Sequence, residues 1–253
     1  MSTTKLYTSV LEAKRAGRKQ FAVLIDPDKT QTTSLDELIE RAVVAGVDYF
    51  LVGSSLLVHD QLDTCLQKIK AQCAIPAILF PGNNFQVNHR ADGILLLSLI
   101  SGRNPELLIG QHVVAAPYLR KSNLEIIPTG YILIDGGVPT SVSYMSNSSP
   151  IPRNKFDIAL CTAMAGEMLG LKMIYLEAGS GARYPVDDQM IQTVSQSIDI
   201  PLIVGGGLRS PETAYQKAAA GADLIVVGNI LEKAPTLIQE MAQAVHGVRP
   251  EKV

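Results

Sequence analysis

Ile200-Pro-Leu-Ile-Val-Gly-Gly-Gly207 is an apolar run that ends in three glycines, and it decides the fold. Ser210-Pro-Glu-Thr213 follows it and is typical of a helix start, because serine caps free amides and proline suits the first helical position. A second apolar run, Asp223–Asn229, comes next. Continuous apolar runs are typical of parallel strands that are buried on both faces. The stretch therefore predicts a βαβ unit with a right-handed crossover.

The same pattern extends towards the amino terminus. Six further runs resemble buried strands, namely Gln20–Asp26, Asp48–Ser55, Ile75–Gly82, Gly93–Ser101, Glu125–Asp135 and Lys172–Gly179. Helix-like segments separate most of them, and 153–170 is one of these. The link 83–91 is too short and polar for a regular helix, and 139–152 reads as irregular. Eight βα units in 253 residues favour a closed (β/α)8 TIM barrel over an open doubly wound sheet, with 1–253 as a single domain.

Composition restricts the partners and the compartment. The net charge of -2 argues against a nucleic-acid partner. Cys65, Cys73 and Cys161 lack the spacing of a metal site, so we expect buried thiols in a reducing cytoplasm. The amino terminus has no apolar signal core, and no apolar run reaches the ~18 residues of a membrane span. We therefore expect a cytoplasmic protein.

Glycines follow the last two predicted strands. In TIM barrels the active site lies at the carboxyl ends of the strands, and phosphate often binds after strands seven and eight. Gly206-Gly207 and Gly228-Asn229 occupy those two positions. Without Cβ atoms a phosphate can approach the backbone amides closely. The two turns predict a phosphate site, and the alternative is that these glycines serve only the turn geometry.

Tyr175-Leu-Glu-Ala-Gly-Ser-Gly181 is the most distinctive strand end. Strand alternation places Tyr175 and Glu177 on one face, directed into the barrel. A buried carboxylate needs a partner, and polyol hydroxyls can provide one. Gly179-Ser-Gly181 adds amides and a hydroxyl that suit a further side of the phosphate. The alternative is a structural glutamate paired with a barrel lysine or arginine.

Asp26 ends the first strand, and its carboxylate is the hard oxygen ligand that Mg²⁺ prefers. Ser55, at the end of the next strand, could supply a second ligand. The alternative for Asp26 is a turn carboxylate that accepts backbone hydrogen bonds. We expect Asp28 and Lys29 to cap the turn or face solvent. The four histidines are scattered, so a hydrolase triad is not indicated.

With these motifs the chain resembles the geranylgeranylglyceryl phosphate synthase family, which includes the bacterial heptaprenylglyceryl phosphate synthases. The resemblance covers nearly the whole chain and is closest to the second of the family's two groups. Its motifs are Leu24-Ile-Asp-Pro-Asp-Lys29, Val52-Gly-Ser-Ser55, Tyr131-Ile-Leu-Ile-Asp-Gly-Gly137, Tyr175-Leu-Glu-Ala-Gly-Ser-Gly-Ala182 and Val204-Gly-Gly-Gly207. One departure is Ser54, where the family often has a second glycine, and this leaves open whether Ser54 or Ser55 binds the metal.

The resemblance implies a (β/α)8 barrel that uses Mg²⁺ to join a long-chain prenyl diphosphate to the C3 hydroxyl of sn-glycerol 1-phosphate. Asp26 and Ser55 would bind Mg²⁺. The glycerol phosphate would contact Tyr175, Leu176, Glu177, Ala178, Gly179, Ser180, Gly181, Gly206, Gly207, Gly228 and Asn229. Glu177 would orient the glycerol and could accept its proton, and Tyr175 could present its ring to an allylic cation.

The resemblance further implies a homo-oligomer, a dimer or a hexamer, in ether phospholipid biosynthesis. Its lipid product implies transient membrane contact on release. Two alternatives stay open. One is a phosphosugar isomerase or synthase on a phosphate-binding barrel, and the other is a non-catalytic barrel that binds a polyol phosphate.

Overall fold

Eight parallel strands close into one barrel in chain order in the computed structural model, which describes residues 5–29, 32–59, 61–84 and 86–249. The strands are β1 (Gln20–Ile25), β2 (Tyr49–Val52), β3 (Ala77–Leu79), β4 (Gly93–Leu99), β5 (Glu125–Leu133), β6 (Met173–Glu177), β7 (Leu202–Gly205) and β8 (Leu224–Val227). The predicted TIM barrel is confirmed, and all eight predicted runs contain a strand. Most strands are shorter than the runs, because glycine and polar residues at the run ends form the turns.

Helices surround the barrel, although not at every connection. They are α1 (Lys5–Arg15), α2 (Thr32–Ala45), α3 (Leu62–Gln72), a π-helical turn (Glu106–Gly110), α4 (Gln111–Lys121), α5 (Ser141–Ser146), α6 (Phe156–Met168), α7 (Asp188–Ser195), α8 (Pro211–Ala219), α9 (Asn229–Lys233) and α10 (Leu237–His246). As predicted, the described residues between β3 and β4 form no helix. The ring of helices is therefore thinner at this point.

Two helix starts show how local sequence sets the elements. Ser210 accepts a hydrogen bond from the Thr213 amide ahead of Pro211, as predicted for α8. The prediction that 139–152 is irregular was wrong for α5. This short helix is closed by a capping box in which Thr140 and Ser143 bond to each other's amides. Serine at the third helical position is a weaker sequence signal than the usual glutamate or glutamine, so the helix was missed.

The core has two layers, as a barrel with both strand faces buried requires. Alternate strand residues such as Tyr175 point inward, while their neighbours, such as Leu176, pack against the helices. The amino-terminal end of the barrel is closed by α1, whose Leu6 and Val10 join the inner layer. The Glu125 carboxylate accepts hydrogen bonds from the Leu6 and Tyr7 amides at 2.7 and 2.9 Å. The other end of the barrel carries the cavities.

The expectation that all three cysteine thiols are buried is only partly met. Cys65 is buried and Cys73 is half-buried, but α6 exposes Cys161 to solvent, so the prediction of buried thiols is wrong for that residue. Among the residues that the structure describes, no helix has the length and apolar character needed to cross a membrane.

Candidate active site

The carboxyl ends of the strands surround a polar cavity. We call it the polar cavity, and its lining includes most of the predicted site residues, namely Asp26, Ser55, Tyr175, Glu177, Ser180, Gly181, Gly206, Gly207, Gly228 and Asn229. They come from β1, β2, β6, β7 and β8 or from the turns after them. Barrel closure therefore gathers residues that are up to about two hundred positions apart in the sequence.

Glu177 points into the barrel from the end of β6, as predicted. Its carboxylate is buried, and Oε1 accepts a hydrogen bond from the Gly179 amide at 2.6 Å. Burial disfavours the charged form and raises the pKa of Glu177 to about 7, although the Gly179 bond acts in the opposite direction. No lysine or arginine pairs with this carboxylate in the described part of the chain. The structure thus differs from the alternative of an ion-paired structural glutamate.

Tyr175 lies next to Glu177 on the inner face of β6. Its hydroxyl is buried beside the Glu177 carboxylate and forms no hydrogen bond of good geometry with the described residues. Burial and the neighbouring Glu177 charge raise the pKa of Tyr175 well above its usual value, so the phenol stays protonated. Buried hydroxyls are normally paired. An oxygen of a bound polar molecule would satisfy this one.

Three aromatic rings form the inner wall of the cavity. Tyr175 stacks on Phe80 with ring centroids 5.5 Å apart, and Tyr131 meets Tyr175 edge-on at 5.3 Å. Tyr131 points into the barrel, where it is buried. Electron-rich ring faces can stabilise a nearby cation.

The glycine turns lie against Glu177. Gly206 and Gly207 have φ values of +84° and +71°, which side chains rarely adopt. A Cβ atom on Gly206 would overlap Oε1 of Glu177 and come within 2.6 Å of the Gly179 nitrogen. Across the cavity, Asn229 Nδ2 donates to Ser180 Oγ at 2.5 Å. The turns after β6, β7 and β8 are therefore in direct contact.

Three predicted site residues, Leu176, Ala178 and Gly179, do not line the polar cavity. Leu176 and Ala178 point outward and pack beneath the helices. Gly179 contacts the site through its amide. The strand alternation that directs Glu177 inward also directs its two neighbours away.

Asp26 is tied to several groups at the end of β1. Its Oδ1 accepts the Asp28 amide at 3.2 Å, which matches the alternative of a turn carboxylate in part. Its Oδ2 accepts the Ser54 hydroxyl at 3.1 Å, while Ser55 lies beside Ser54 on the cavity wall. Lys29 Nζ is 2.7 Å from the same Oδ2. The expectation that Lys29 caps the turn or faces solvent was therefore incomplete.

The oxygen ligands at this point fit Mg²⁺. Asp26 supplies one carboxylate, and the hydroxyls of Ser54 and Ser55 are hard oxygen donors beside it. Within the described residues, no group of three histidine, cysteine or acidic side chains could hold a metal alone. Mg²⁺ is commonly bound by one or two protein ligands together with substrate phosphates and water.

Sequence reasoning did not assign four charged residues of the polar cavity to the site, namely Lys29, Arg209, Glu232 and Lys233. Arg209 donates to the Ala182 carbonyl at 2.8 Å, and Glu232 Oε1 accepts the Asp26 amide at 3.1 Å. Burial raises the pKa of Glu232. Each lies three to five residues beyond a glycine or aspartate that was predicted, so reading one or two turns past each strand end would have found them.

A second cavity, here called the apolar cavity, opens beside the described residues that connect β3 to β4. Its lining includes Ile94, Leu96, Leu107, Ala115 and Leu119 from β4, the π-helical turn and α4. It shares Ser54, Ser55, Phe80, Tyr131 and Val142 with the polar cavity. The two cavities therefore meet at the aromatic wall. The sequence did not locate this space, because it depends on the packing of distant elements.

The fold and the two cavities define a TIM-barrel enzyme whose site combines a polar, glycine-lined half with an apolar half. The sequence profile of the PcrB family matches residues 14–247. A Chitinophaga pinensis protein named geranylgeranylglyceryl phosphate synthase is 55% identical, over 97% of this chain and 98% of its own. One of that name from Methanothermobacter marburgensis is 38% identical, over 91% and 94%.

Solved structures are similar to this chain in the same way as the sequence relatives are. The (S)-3-O-geranylgeranylglyceryl phosphate synthase of Thermoplasma acidophilum, solved with its substrate sn-glycerol-1-phosphate, superposes with a TM-score of 0.91 at 33% identity. That alignment covers 96% of this chain and 99% of the other. Tryptophan synthase of Mycobacterium tuberculosis, at 17% identity and a TM-score of 0.61, shares the fold alone. The chain therefore belongs to the PcrB family, as a prenyltransferase of the geranylgeranylglyceryl phosphate synthase type.

Proposed function

We propose that this enzyme uses Mg²⁺ to transfer a long prenyl group from its diphosphate to the C3 hydroxyl of sn-glycerol 1-phosphate, which forms an ether. The observation that carries the proposal is the meeting of the polar and apolar cavities at Ser54, Ser55, Phe80, Tyr131 and Val142. Such a junction suits two substrates, one a small polyol phosphate and the other a lipid with a charged head. The family relationship supports the same pair of substrates.

The acceptor belongs in the glycine-lined half. Gly206, Gly207, Ser180 and Asn229 would surround its phosphate, because their turns leave backbone and small polar groups facing the cavity. Glu177 and the Tyr175 hydroxyl beside it would bind the glycerol oxygens. This arrangement would direct the C3 hydroxyl towards the aromatic wall.

The donor belongs across the junction. Its prenyl chain would lie in the apolar cavity along β4 and α4, and its diphosphate would face Asp26, Ser54 and Ser55. When bound there, Mg²⁺ would neutralise the charge that develops on the departing diphosphate. The allylic carbon would then lie near Phe80, Tyr131 and Tyr175, whose rings can stabilise positive charge.

The transfer exchanges one carbon–oxygen bond for another. The bond from the allylic carbon to the diphosphate breaks, and its electron pair stays on the diphosphate oxygen. The glycerol C3 oxygen bonds to that carbon and loses its proton. Glu177 would accept this proton, because its pKa of about 7 lies where a general base works best near neutral pH.

Two other functions remain as alternatives. A phosphosugar isomerase would use the polar cavity but leaves the apolar cavity without a role. A non-catalytic polyol-phosphate-binding barrel leaves the raised pKa of Glu177 without a role. The apolar cavity beside the aromatic wall therefore favours prenyl transfer.

We further propose that the enzyme is a homo-oligomer of the cytoplasm and that its product enters ether phospholipid biosynthesis. The lipid product makes transient membrane contact the expected route of release. Tyr144 and Met145 on α5 support this, because they are exposed and Met145 also lines the apolar cavity. A rim of this kind would let a lipid pass between a bilayer and the cavity.

The test is product analysis with radiolabelled sn-glycerol 1-phosphate and prenyl diphosphates of several lengths. We expect label in the organic phase only when Mg²⁺ and a prenyl diphosphate are both present. The enantiomer, sn-glycerol 3-phosphate, is the matched control and should react poorly. If no labelled lipid forms with a prenyl diphosphate of any length, the proposal is contradicted. Phosphosugar isomerisation, or glycerol phosphate binding alone, would then favour one of the alternatives.

A further inference from the structure

Lys29 lies between two sides of the polar cavity, the end of β1 at Asp26 and the turn after β8 at Asn229. Its side chain is 51% exposed, yet its ammonium group lies 2.7 Å from Asp26 Oδ2. The same nitrogen is 3.4 Å from Asn229 Oδ1 in the turn after β8. One cation therefore contacts both the carboxylate that fits Mg²⁺ and the turn that fits the acceptor phosphate.

The fold does not require this side chain. The turn is already closed by the Lys29 amide, which donates to the Asp26 carbonyl at 3.1 Å. It is also anchored by Asp28, whose carboxylate accepts the amides of Val58 and His59. A half-exposed ion pair between residues three apart contributes little to stability. Anchoring the turn is therefore a weak explanation for a lysine that lines the cavity.

The charges around Asp26 show what Lys29 does in the free protein. Glu232 is bonded to the Asp26 amide at 3.1 Å, so two carboxylates lie close together at the end of β1. The Lys29 ammonium group, which contacts Asp26 Oδ2, places a positive charge beside these two carboxylates. A divalent cation that binds Asp26 would compete for that oxygen and would repel the ammonium group. The flexible lysine stem lets the ammonium group move a short distance within the cavity.

We propose that Lys29 is a diphosphate-binding residue that pairs with Asp26 in the free enzyme and turns to the diphosphate of the prenyl donor when the cation binds. The proposal rests on the proposed function. Lysine binds phosphate as a point charge, and the diphosphate would lie next to Asp26. As the bond to the allylic carbon breaks, the ammonium group would face the electron pair left on the diphosphate oxygen.

The proposal predicts opposite effects on two ligands, which a purely structural lysine does not. In calorimetry on Lys29→Met, Mg²⁺ should bind the free enzyme roughly threefold to fivefold more tightly, because its competitor for Asp26 is gone. Inorganic pyrophosphate, at saturating Mg²⁺, should bind roughly tenfold to hundredfold more weakly, because a charged hydrogen bond is lost. Lys29→Arg keeps the charge and should restore most of the pyrophosphate affinity.

Lys70→Met is the matched control, since Lys70 forms a 2.8 Å ion pair with Asp92 outside the polar cavity. It should leave both affinities unchanged. The affinity for sn-glycerol 1-phosphate is measured with the same variants. Unchanged pyrophosphate binding, or weaker Mg²⁺ binding, in a folded Lys29→Met protein would overturn the proposal. A loss confined to glycerol phosphate would also overturn it and assign Lys29 to the acceptor. Neither titration needs turnover, so failure of prenyl transfer in the wild type is seen separately.

Discussion

The amide nitrogen of Gly179 lies 2.6 Å from Oε1 of Glu177, so the carboxylate is held by the turn that follows its own strand. The bond leaves Oε2 on the side of Gly205 and the Tyr175 hydroxyl. One oxygen of Glu177 is thus fixed by the fold, and the other can face a substrate.

Glu177→Gln tests whether that second oxygen accepts a proton. The variant keeps much of the hydrogen bonding but cannot act as a base, so kcat should fall by roughly 10²–10⁴. In the wild type the base works only when ionised. Because the pKa of Glu177 is about 7, kcat/KM should decline as the pH falls below that value. The variant should lack this decline.

The measurement is kcat and KM for glycerol phosphate in both proteins from about pH 5 to 9, a range that spans this pKa. A fall in kcat of only about tenfold, with the acidic decline retained, would limit Glu177 to orienting the glycerol. If Glu177→Gln has the kcat and KM of the wild type, Glu177 does not take part in binding or catalysis.

Gly206→Ala tests the acceptor phosphate site. Its Cβ would overlap Glu177 Oε1, and overpacking of this kind costs about 1–3 kcal/mol. The affinity for sn-glycerol 1-phosphate should therefore fall roughly tenfold to hundredfold. Gly170→Ala is the matched control, because Gly170 has a similar φ of +87° but nothing within 4 Å of its Cβ position.

Calorimetric titration and thermal unfolding of both variants separate the two effects. Both should lose some stability, since alanine at positive φ costs roughly 1–2 kcal/mol. Only Gly206→Ala should lose affinity. Equal affinities in the two folded variants would count against a phosphate at this turn.

Asp26→Asn tests the metal site. The change keeps the size of the side chain but removes the charge that would hold Mg²⁺, so turnover should drop by about 10²–10³. Mg²⁺ affinity should fall with it, while glycerol phosphate affinity should change little. Asp63→Asn is the control, because Asp63 is ion-paired with Arg90 away from both cavities. Near-normal turnover of Asp26→Asn across a Mg²⁺ titration would show that another group binds the metal.

Ala115→Leu tests the apolar cavity. Ala115 is buried at the cavity wall on α4, so the larger side chain fills space that the prenyl chain would use. KM for the prenyl diphosphate should rise roughly tenfold, most for the longest chain, and KM for glycerol phosphate should not change. Ala116→Leu lies next to it on the exposed face and is the control. An equal effect of the two changes would mean that the chain binds elsewhere.

The sequence alone determined the barrel and the inward face of β6. Eight apolar runs are sufficient for the fold, because parallel strands buried on both faces need little beyond continuous apolar residues. Alternation along a strand has a period of two, so once β6 is a strand, Tyr175 and Glu177 must share a face. Glycines at the ends of β7 and β8 also marked the turns that line the cavity, since Gly206 and Gly207 adopt positive φ values.

Only the tertiary structure decided which groups meet across the barrel. Ser54 bonds to Asp26, and Lys29 lies between Asp26 and Asn229, a residue two hundred positions later in the chain. The apolar cavity likewise forms between β4, α4 and α5, beside the described residues that connect β3 to β4. These contacts depend on how the strands are staggered when the barrel closes and on how side chains pack above it. No local pattern of residues encodes those distances, so the sequence could name the strand ends but not the pairs that they form.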